Sequence, residues 1–332
     1  MPTAREQAQW LRMLWGGFWS SRIIITANNL RIFDNLTEPK EALQLATLIK
    51  ADPRATEMLL NALVALQLLK KHRNQFSNAP LSARFLVSGT PHYQGDILRH
   101  ADNLWQNWSQ LDSVVKTGKP ASKIAFDHHA FIMGMHNIAH LIAPEVVKAI
   151  NLQGVDKALD LGGGPGTYAL EMRRQGAAHV THFDLPDTTS IARKMVKQAG
   201  IDGISFISGD ILKDSPGEGY DLILLSQFIH AFSAEQTGMI LEKVCKALRP
   251  GGRIIVQEFA LNPNLTSPTQ GALFSINMLV STPGGRCYPP QEIRALLRQA
   301  GLVKASSRMV AGNSLTIAFS PSGRLKRKAP GE

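Results

Sequence analysis

The stretch A-L-D-L-G-G-G-P-G-T, Ala158 to Thr167, decides how this chain is read. It closes an apolar, strand-like run and opens a helical one. Glycines at a strand's end let the backbone approach a ligand, and the helix N-terminus beyond them offers N–H groups. Phosphate cradles, dinucleotide sites and plain tight turns all use such loops. Asp160, just ahead of the glycines, disfavours a pyrophosphate and suits a cationic or amine-bearing ligand. The chain also lacks a G-x-x-x-x-G-K-S/T loop, which argues against a nucleoside triphosphate.

Outward from the loop, short β-branched runs alternate with helices, the pattern of a parallel sheet covered on both faces. Strands are expected near Lys157–Leu161, Val180–Asp184, Ile204–Ser208, Asp221–Ile229, Arg253–Leu261, Val303–Val310 and Ser314–Ser320. A-G-N joins the last two as a hairpin turn, so one of them runs antiparallel. The second strand ends H-F-D-L-P, placing Asp184 and Leu185 where an acid accepts both ribose hydroxyls of an adenosine. The third ends I-S-G-D-I, placing Asp210 to accept from an adenine amino group, with Ile211 packing on the base. Three acids at the ends of three successive strands, beside one glycine loop, point to a convergent site.

Up to about residue 145 the periodicity is helical almost throughout. Glu41 to Lys50, an A-D-P break, Arg54 to Lys71 and then N-Q-F-S-N spell a winged helix-turn-helix. A DNA-reading helix needs an exposed polar or basic face. This one is nearly all Leu, Ala, Val and Met, with Lys70, Lys71 and Arg73 at its C-terminal end, so burial in packing or dimerisation is expected. Trp10, Trp15, Phe18 and Trp19 crowd the opening segment and either dock on their own domain or form a subunit interface.

Composition excludes several classes. Hydrophobic residues make up 44% and charged ones 19% of 332, ordinary for a soluble protein with a sizeable core. Two cysteines, Cys245 and Cys287, imply no disulfide framework and fit a reducing cytoplasm. The net charge of +10 includes Arg324, Lys326, Arg327 and Lys328 in the tail and is otherwise spread without a basic stripe. Neither nucleic acid nor a membrane surface is indicated. W-L-R-M-L-W-G-G-F-W, Trp10 to Trp19, lacks signal-peptide order, and no window approaches the roughly 18 uninterrupted apolar residues of a span.

L-D-L-G-G-G-P-G, F-D-L-P, G-D, I-H-A-F and V-V-K-T-G-K-P together resemble the S-adenosylmethionine-dependent small-molecule O-methyltransferases. That family includes plant caffeate-type enzymes, acetylserotonin methyltransferase and bacterial pigment and antibiotic enzymes. The resemblance covers nearly the whole chain. It implies a Rossmann-like α/β domain with a seven-stranded sheet and an antiparallel last strand, preceded by a mainly helical winged-helix domain. The expected boundaries are a dimerisation domain at 1–110 and a helical linker contributing to the substrate pocket at 111–150. A cofactor-binding methyltransferase domain at 151–321 and a disordered basic tail at 322–332 complete them. The resemblance further implies a homodimer, a small-molecule acceptor, S-adenosylhomocysteine as product and no metal. Asp160, Gly162, Gly164, Asp184, Leu185, Asp210, Ile211 and Ser226 are the expected cofactor residues. Gly162 and Gly164 pass the methionyl part, Asp184 holds the ribose, and Asp210 with Ile211 holds the adenine.

Methyl transfer from a sulfonium needs an aligned nucleophile and removal of its proton. A histidine suits that proton, its pKa lying near neutrality. His230, expected just past the fourth strand, matches the family's catalytic base. Glu258, on the fifth strand, matches the glutamate that orients it, as a carboxylate on the second ring nitrogen normally does. The family's H-D-W is here H-A-F, with Ala231 and Phe232; Ser226 replaces a plant lysine, and Cys287 replaces a second glutamate. A thiol supplies no fixed charge unless its pKa is depressed. Tyr288 is a candidate to hydrogen-bond His230 or the substrate instead. Trp105, Phe131, Met135, Phe274, Met278, Cys287 and Tyr288 are candidate substrate-pocket residues. The expected reaction is O-methylation of an apolar aromatic or polyene-like molecule. The alternatives are C- or N-methylation with His230 only orienting the substrate and, more remotely, a cofactor-binding DNA regulator.

Overall fold

The computed structural model describes residues 2–122 and 126–322. The basic tail lies outside the described residues from position 323 onward. The chain divides into two compact units, Met1–Trp105 with Asp127–Ile138, and Gln106–Phe126 with Ala139–Glu332. The expected linker at 111–150 is therefore shared between them. The long helix His128–Ile150 explains the division. Asn137 accepts from the Asp96 and Ile97 amides in the first unit, whereas Ala143, Val146, Val147 and Ile150 join the core of the second. By length and composition alone this helix could cross a membrane, with a mean hydropathy of 1.2; the core packing of its second half accounts for that apolarity.

In the first unit, helix Ala4–Asn29 starts at a capping box in which Thr3 and Glu6 satisfy each other's amides. It buries only Ile25, Ala27 and Asn28. Trp10 is 62% exposed and Trp19 58%, so the aromatic cluster does not dock into its own unit. Helices Ala42–Ile49 and Pro53–Ala65 follow, the latter capped by Asp52, whose side chain accepts from the Ala55 amide at 2.7 Å. Strands β1 (Lys40–Glu41), β2 (Leu69–His72) and β3 (Gln75–Asn78) form a small antiparallel sheet in the order β1-β3-β2. Phe33, Leu45, Leu60, Leu63 and Phe76 make its core. Burial in packing or dimerisation was expected of a helix at Arg54–Lys71; the helix runs Pro53–Ala65 and residues 69–72 form β2 instead. Thr56, Leu60 and Leu63 face inward, while Met58 is exposed. A helix packed on one side in a small unit keeps a free face.

The second unit carries seven strands: β4 (Lys157–Leu161), β5 (His179–Asp184), β6 (Ile204–Ser208), β7 (Tyr220–Ser226), β8 (Leu248–Phe259), β9 (Val303–Val310) and β10 (Asn313–Phe319). Their order is β6-β5-β4-β7-β8-β10-β9, with β10 antiparallel to both neighbours and the other pairs parallel. Strand alternation sends Leu159, Leu161, Ile223, Leu225, Ile254 and Val256 into one core. Ala158, Val180, Leu222, Leu224 and Ile255 fill the core on the other face. The chain leaves β4 toward β5 and β6, then returns to β7 on β4's opposite side. That reversal opens a crevice at the carboxyl ends of β4 and β7, where open α/β sheets bind ligands.

One strand ends early. The fourth strand of this sheet was expected to run to Ile229 but stops at Ser226. Gln227 adopts φ 52°, a left-handed conformation costly for a non-glycine residue. Its amide donates to the Gln257 carbonyl at 2.8 Å, and Ile229–Ala231 forms a single 3₁₀ turn.

Candidate active site

The glycine loop is built from below. Gly162, Gly164 and Gly166 have φ of 67°, 55° and 80°, conformations open to glycine. Gly162 and Gly163 both donate to the Phe183 carbonyl, Gly164 donates to Asp184 Oδ2 at 2.8 Å, and Gly166 donates to the Gly163 carbonyl. These four amides are thus engaged within the protein. A phosphate cradle needs such groups free, so the loop fits a ligand that presents no phosphate to it. A Cβ at Gly164 would meet nothing within 4 Å, so the backbone at that residue is open to a ligand, whereas one at Gly162 would meet the Phe228 ring.

Asp160 does not reach out to a ligand as expected. It is 1% exposed and lies beneath the loop, where its Oδ2 accepts from the Ala169 amide at 3.0 Å. Its other oxygen is buried without a hydrogen-bond partner. Burial pushes its pKa up to about 7, with the Asp184 charge adding to the effect. Asp184 lies at the end of β5, its Oδ1 accepting from the Leu185 amide at 2.7 Å. Leu185 is exposed. Asp210 turns the chain after β6: it accepts from the Leu212 amide at 3.0 Å and pairs with Lys213 at 3.0 Å, which holds its carboxyl below the usual range. The neighbouring Ile211 is buried, and Lys243 donates to its carbonyl at 2.6 Å.

Across the crevice, Ser226 donates to Gln257 Oε1 at 3.0 Å. His230 Nδ1 lies 2.7 Å from Glu258 Oε2, and both residues are buried. The second carboxylate oxygen accepts from the Phe228 amide at 3.0 Å and the His230 amide at 3.3 Å. A lone buried carboxylate is costly; here both oxygens are satisfied by the turn that carries the histidine. The early end of β7 makes this possible, because the reversal at Gln227 folds the next residues onto Glu258. Phe274 stands edge-on to the imidazole at 4.9 Å and lies 4.0 Å from Phe259, centroid to centroid. The His230 ring is therefore held by one carboxylate and one aromatic edge.

The remaining candidates separate. Met278 and Cys287 are buried in the second unit, and burial raises the Cys287 thiol to about 11, leaving it neutral. Tyr288 is fully buried, and its hydroxyl donates to the Phe232 carbonyl at 2.7 Å, so it does not support His230. In the first unit, Trp105 lies beside Phe18 and under the Arg22 guanidinium. Phe131 lies 4.9 Å from the His100 ring, and Met135 is half-buried. Among the described residues, no group of three or more His, Cys, Asp or Glu is arranged to hold a metal ion. Sequence reasoning overlooked His182, Phe228 and Phe259. His182 was detectable, since it stands two residues before Asp184 and so shares its face of the strand. Phe228 and Phe259 carry no signal that separates them from ordinary core residues.

Comparison with known proteins identifies the family. Residues 121–303 match the model of an O-methyltransferase domain, and residues 13–88 match that of an O-methyltransferase dimerisation domain. Acetylserotonin O-methyltransferase of Bos taurus is 30% identical over 321 residues, covering 89% of this chain and 92% of the relative. The 3-hydroxy-5-methyl-1-naphthoate 3-O-methyltransferase of Streptomyces sahachiroi is 29% identical over 300 residues, covering 86% of each. Human N-acetylserotonin methyltransferase in complex with SAM superposes with a TM-score of 0.87 at 26% identity, over 97% of this chain and 100% of that one. PigF with SAH gives 0.85 at 26% identity, over 96% and 100%. Motifs, sheet order and both family models agree: the chain belongs to the S-adenosylmethionine-dependent O-methyltransferases.

Proposed function

We propose that this chain transfers the methyl group of S-adenosylmethionine to a hydroxyl of an apolar aromatic or polyene-like small molecule, with His230 as general base. The 2.7 Å contact between His230 Nδ1 and Glu258 carries the reading. With Nδ1–H given to the carboxylate, Nε2 is the basic nitrogen and takes the hydroxyl proton. Glu258 then balances the imidazolium. The cofactor supplies an activated methyl on a sulfonium. The acceptor oxygen gains the O–C bond as the C–S bond breaks and the proton passes to His230. Gly162 and Gly164 line the methionyl part, Asp184 accepts from the ribose, and Asp210, Ile211 and Leu185 hold the adenine end, with Ser226 beside them. The phosphate-free character of the loop supports this ligand over a nucleotide.

For the acceptor, Phe274 next to His230 supports a flat apolar partner, since aromatic edges and faces favour such contacts. Met278, on the same helix as Phe274, is a further candidate to line its pocket. The exposed face of helix Ala4–Asn29, within and beside the stretch matching a dimerisation domain, supports a homodimer. Free thiols at Cys245 and Cys287 suit a cytoplasmic setting. Incubation of the enzyme with cell extract and methyl-labelled S-adenosylmethionine, followed by mass spectrometry of the product, tests the reading. An O-methyl group is expected. A methyl on carbon or nitrogen would remove His230 from the role of base.

A further inference from the structure

Asp160 and His182 are direct partners across β4 and β5. Alternation along β5 puts His182 on the same face as Asp184. His182 is fully buried, and its Nε2 lies 3.1 Å from the Gly164 carbonyl. A carbonyl only accepts, so Nε2 carries the proton and donates. Asp184 Oδ2 accepts from the amide of the same residue at 2.8 Å. Gly164 is therefore gripped from both sides by two side chains of one strand. The space for this grip depends on Gly163, where a Cβ would stand 2.6 Å from the imidazole Cδ2 and 2.8 Å from Asp160 Oδ2. Burial keeps the imidazole neutral by lowering its pKa.

We propose that His182 is a positioning residue for the cofactor: by holding the Gly164 carbonyl while Asp184 holds its amide, it presets the loop that receives the methionyl part. The claim rests on the cofactor reading above. His182 touches no reacting atom, and its effect passes through Gly164. Without its N–H the carbonyl of Gly164 loses a partner, the peptide is free to rotate, and Asp184 loses the fixed amide that orients it toward a ribose.

The test compares His182→Gln with His182→Met. The two side chains are of similar length, but only the amide donates a hydrogen bond near the position of Nε2. Calorimetry with S-adenosylhomocysteine as probe is expected to show a roughly tenfold weaker Kd for His182→Met, the order set by one buried acceptor left unpaired. His182→Gln should bind within about threefold of the parent. Unchanged affinity in His182→Met overturns the proposal, as does equal weakening in both variants, which marks a packing role. If His182→Met fails to fold, His182→Gln against His182→Phe gives the same comparison with the same two outcomes. Failure of the parent protein to bind the probe would instead count against the cofactor reading itself.

Discussion

The two units solve burial in opposite ways. The second closes on itself: the strands that carry its site are covered on both faces, with Leu159, Leu161, Leu222, Leu224 and Val256 fully buried. The first leaves a 26-residue helix with Trp10, Leu11, Met13, Leu14, Trp15, Phe18 and Trp19 exposed on it. A contiguous apolar surface of that kind marks an interaction site. The difference teaches that the fold around His230 and Glu258 is closed by its own core, while the first unit leaves an apolar helix face uncovered. Removing a group from the second should change catalysis or cofactor binding; removing one from the first helix should change assembly.

His230→Ala gives the sharpest separation. Turnover should fall by roughly 10²–10⁴, the usual worth of general acid–base catalysis, with cofactor affinity nearly intact. Steady-state rates and calorimetry check both halves, and unchanged turnover would take His230 out of the reaction. Trp15→Asp combined with Trp19→Asp should raise the dimer dissociation constant by roughly a hundredfold, as loss of two aromatic anchors does. Sedimentation velocity reads this, and an unaltered dimer would mean that another surface mediates assembly. Asp184→Ala should weaken S-adenosylhomocysteine binding by about tenfold or more, the scale of hydrogen bonds to a charged acceptor. Equal affinity by calorimetry would show the ribose site to be misplaced.

The smallest expected effect concerns Asp160. Its folded pKa of about 7 lies above the ordinary 3.8, so the folded state binds the proton more tightly than the unfolded one. Stability from this group therefore falls as pH rises from about 4 to about 7. Asp160→Asn keeps an acceptor for the Ala169 amide without the charge. The variant should melt with the parent near the acid end of that window and a few degrees above it at the alkaline end. Parallel melting curves across the range would refute the shift.

Most of the catalytic unit was legible in the sequence because its rules are local. Alternation gave all seven strands within a few residues, and the A-G-N turn gave the antiparallel hairpin. The roles of His230 and Glu258 came from the family resemblance, with Glu258 on the strand after the one that His230 follows. What stayed hidden depends on three dimensions. Nothing in L-S-Q-F-I-H signals that Gln227 turns left-handed, so the strand appeared three residues too long. Asp160 looked like a ligand contact because an acid beside glycines is as suited to holding a helix amide as to meeting a cation. The helix read from Arg54 to Lys71 appeared too long because composition does not reveal that Leu69–His72 pairs as a strand. Tyr288 sits beside Cys287 in sequence, yet its hydroxyl is taken by the Phe232 carbonyl.

The turn at Gln227 also has a consequence for how this sequence can vary. It lays the Phe228 ring against the loop, so that a Cβ at Gly162 would stand 2.1 Å from a ring carbon, and the amide of Phe228 is held by Glu258. Positions 162 and 228 are thus sterically coupled across two motifs. A side chain at the first would force the ring at the second to move or shrink, and that ring stands two residues before the histidine. Bulk added to the glycine loop is thereby felt at the turn that carries His230.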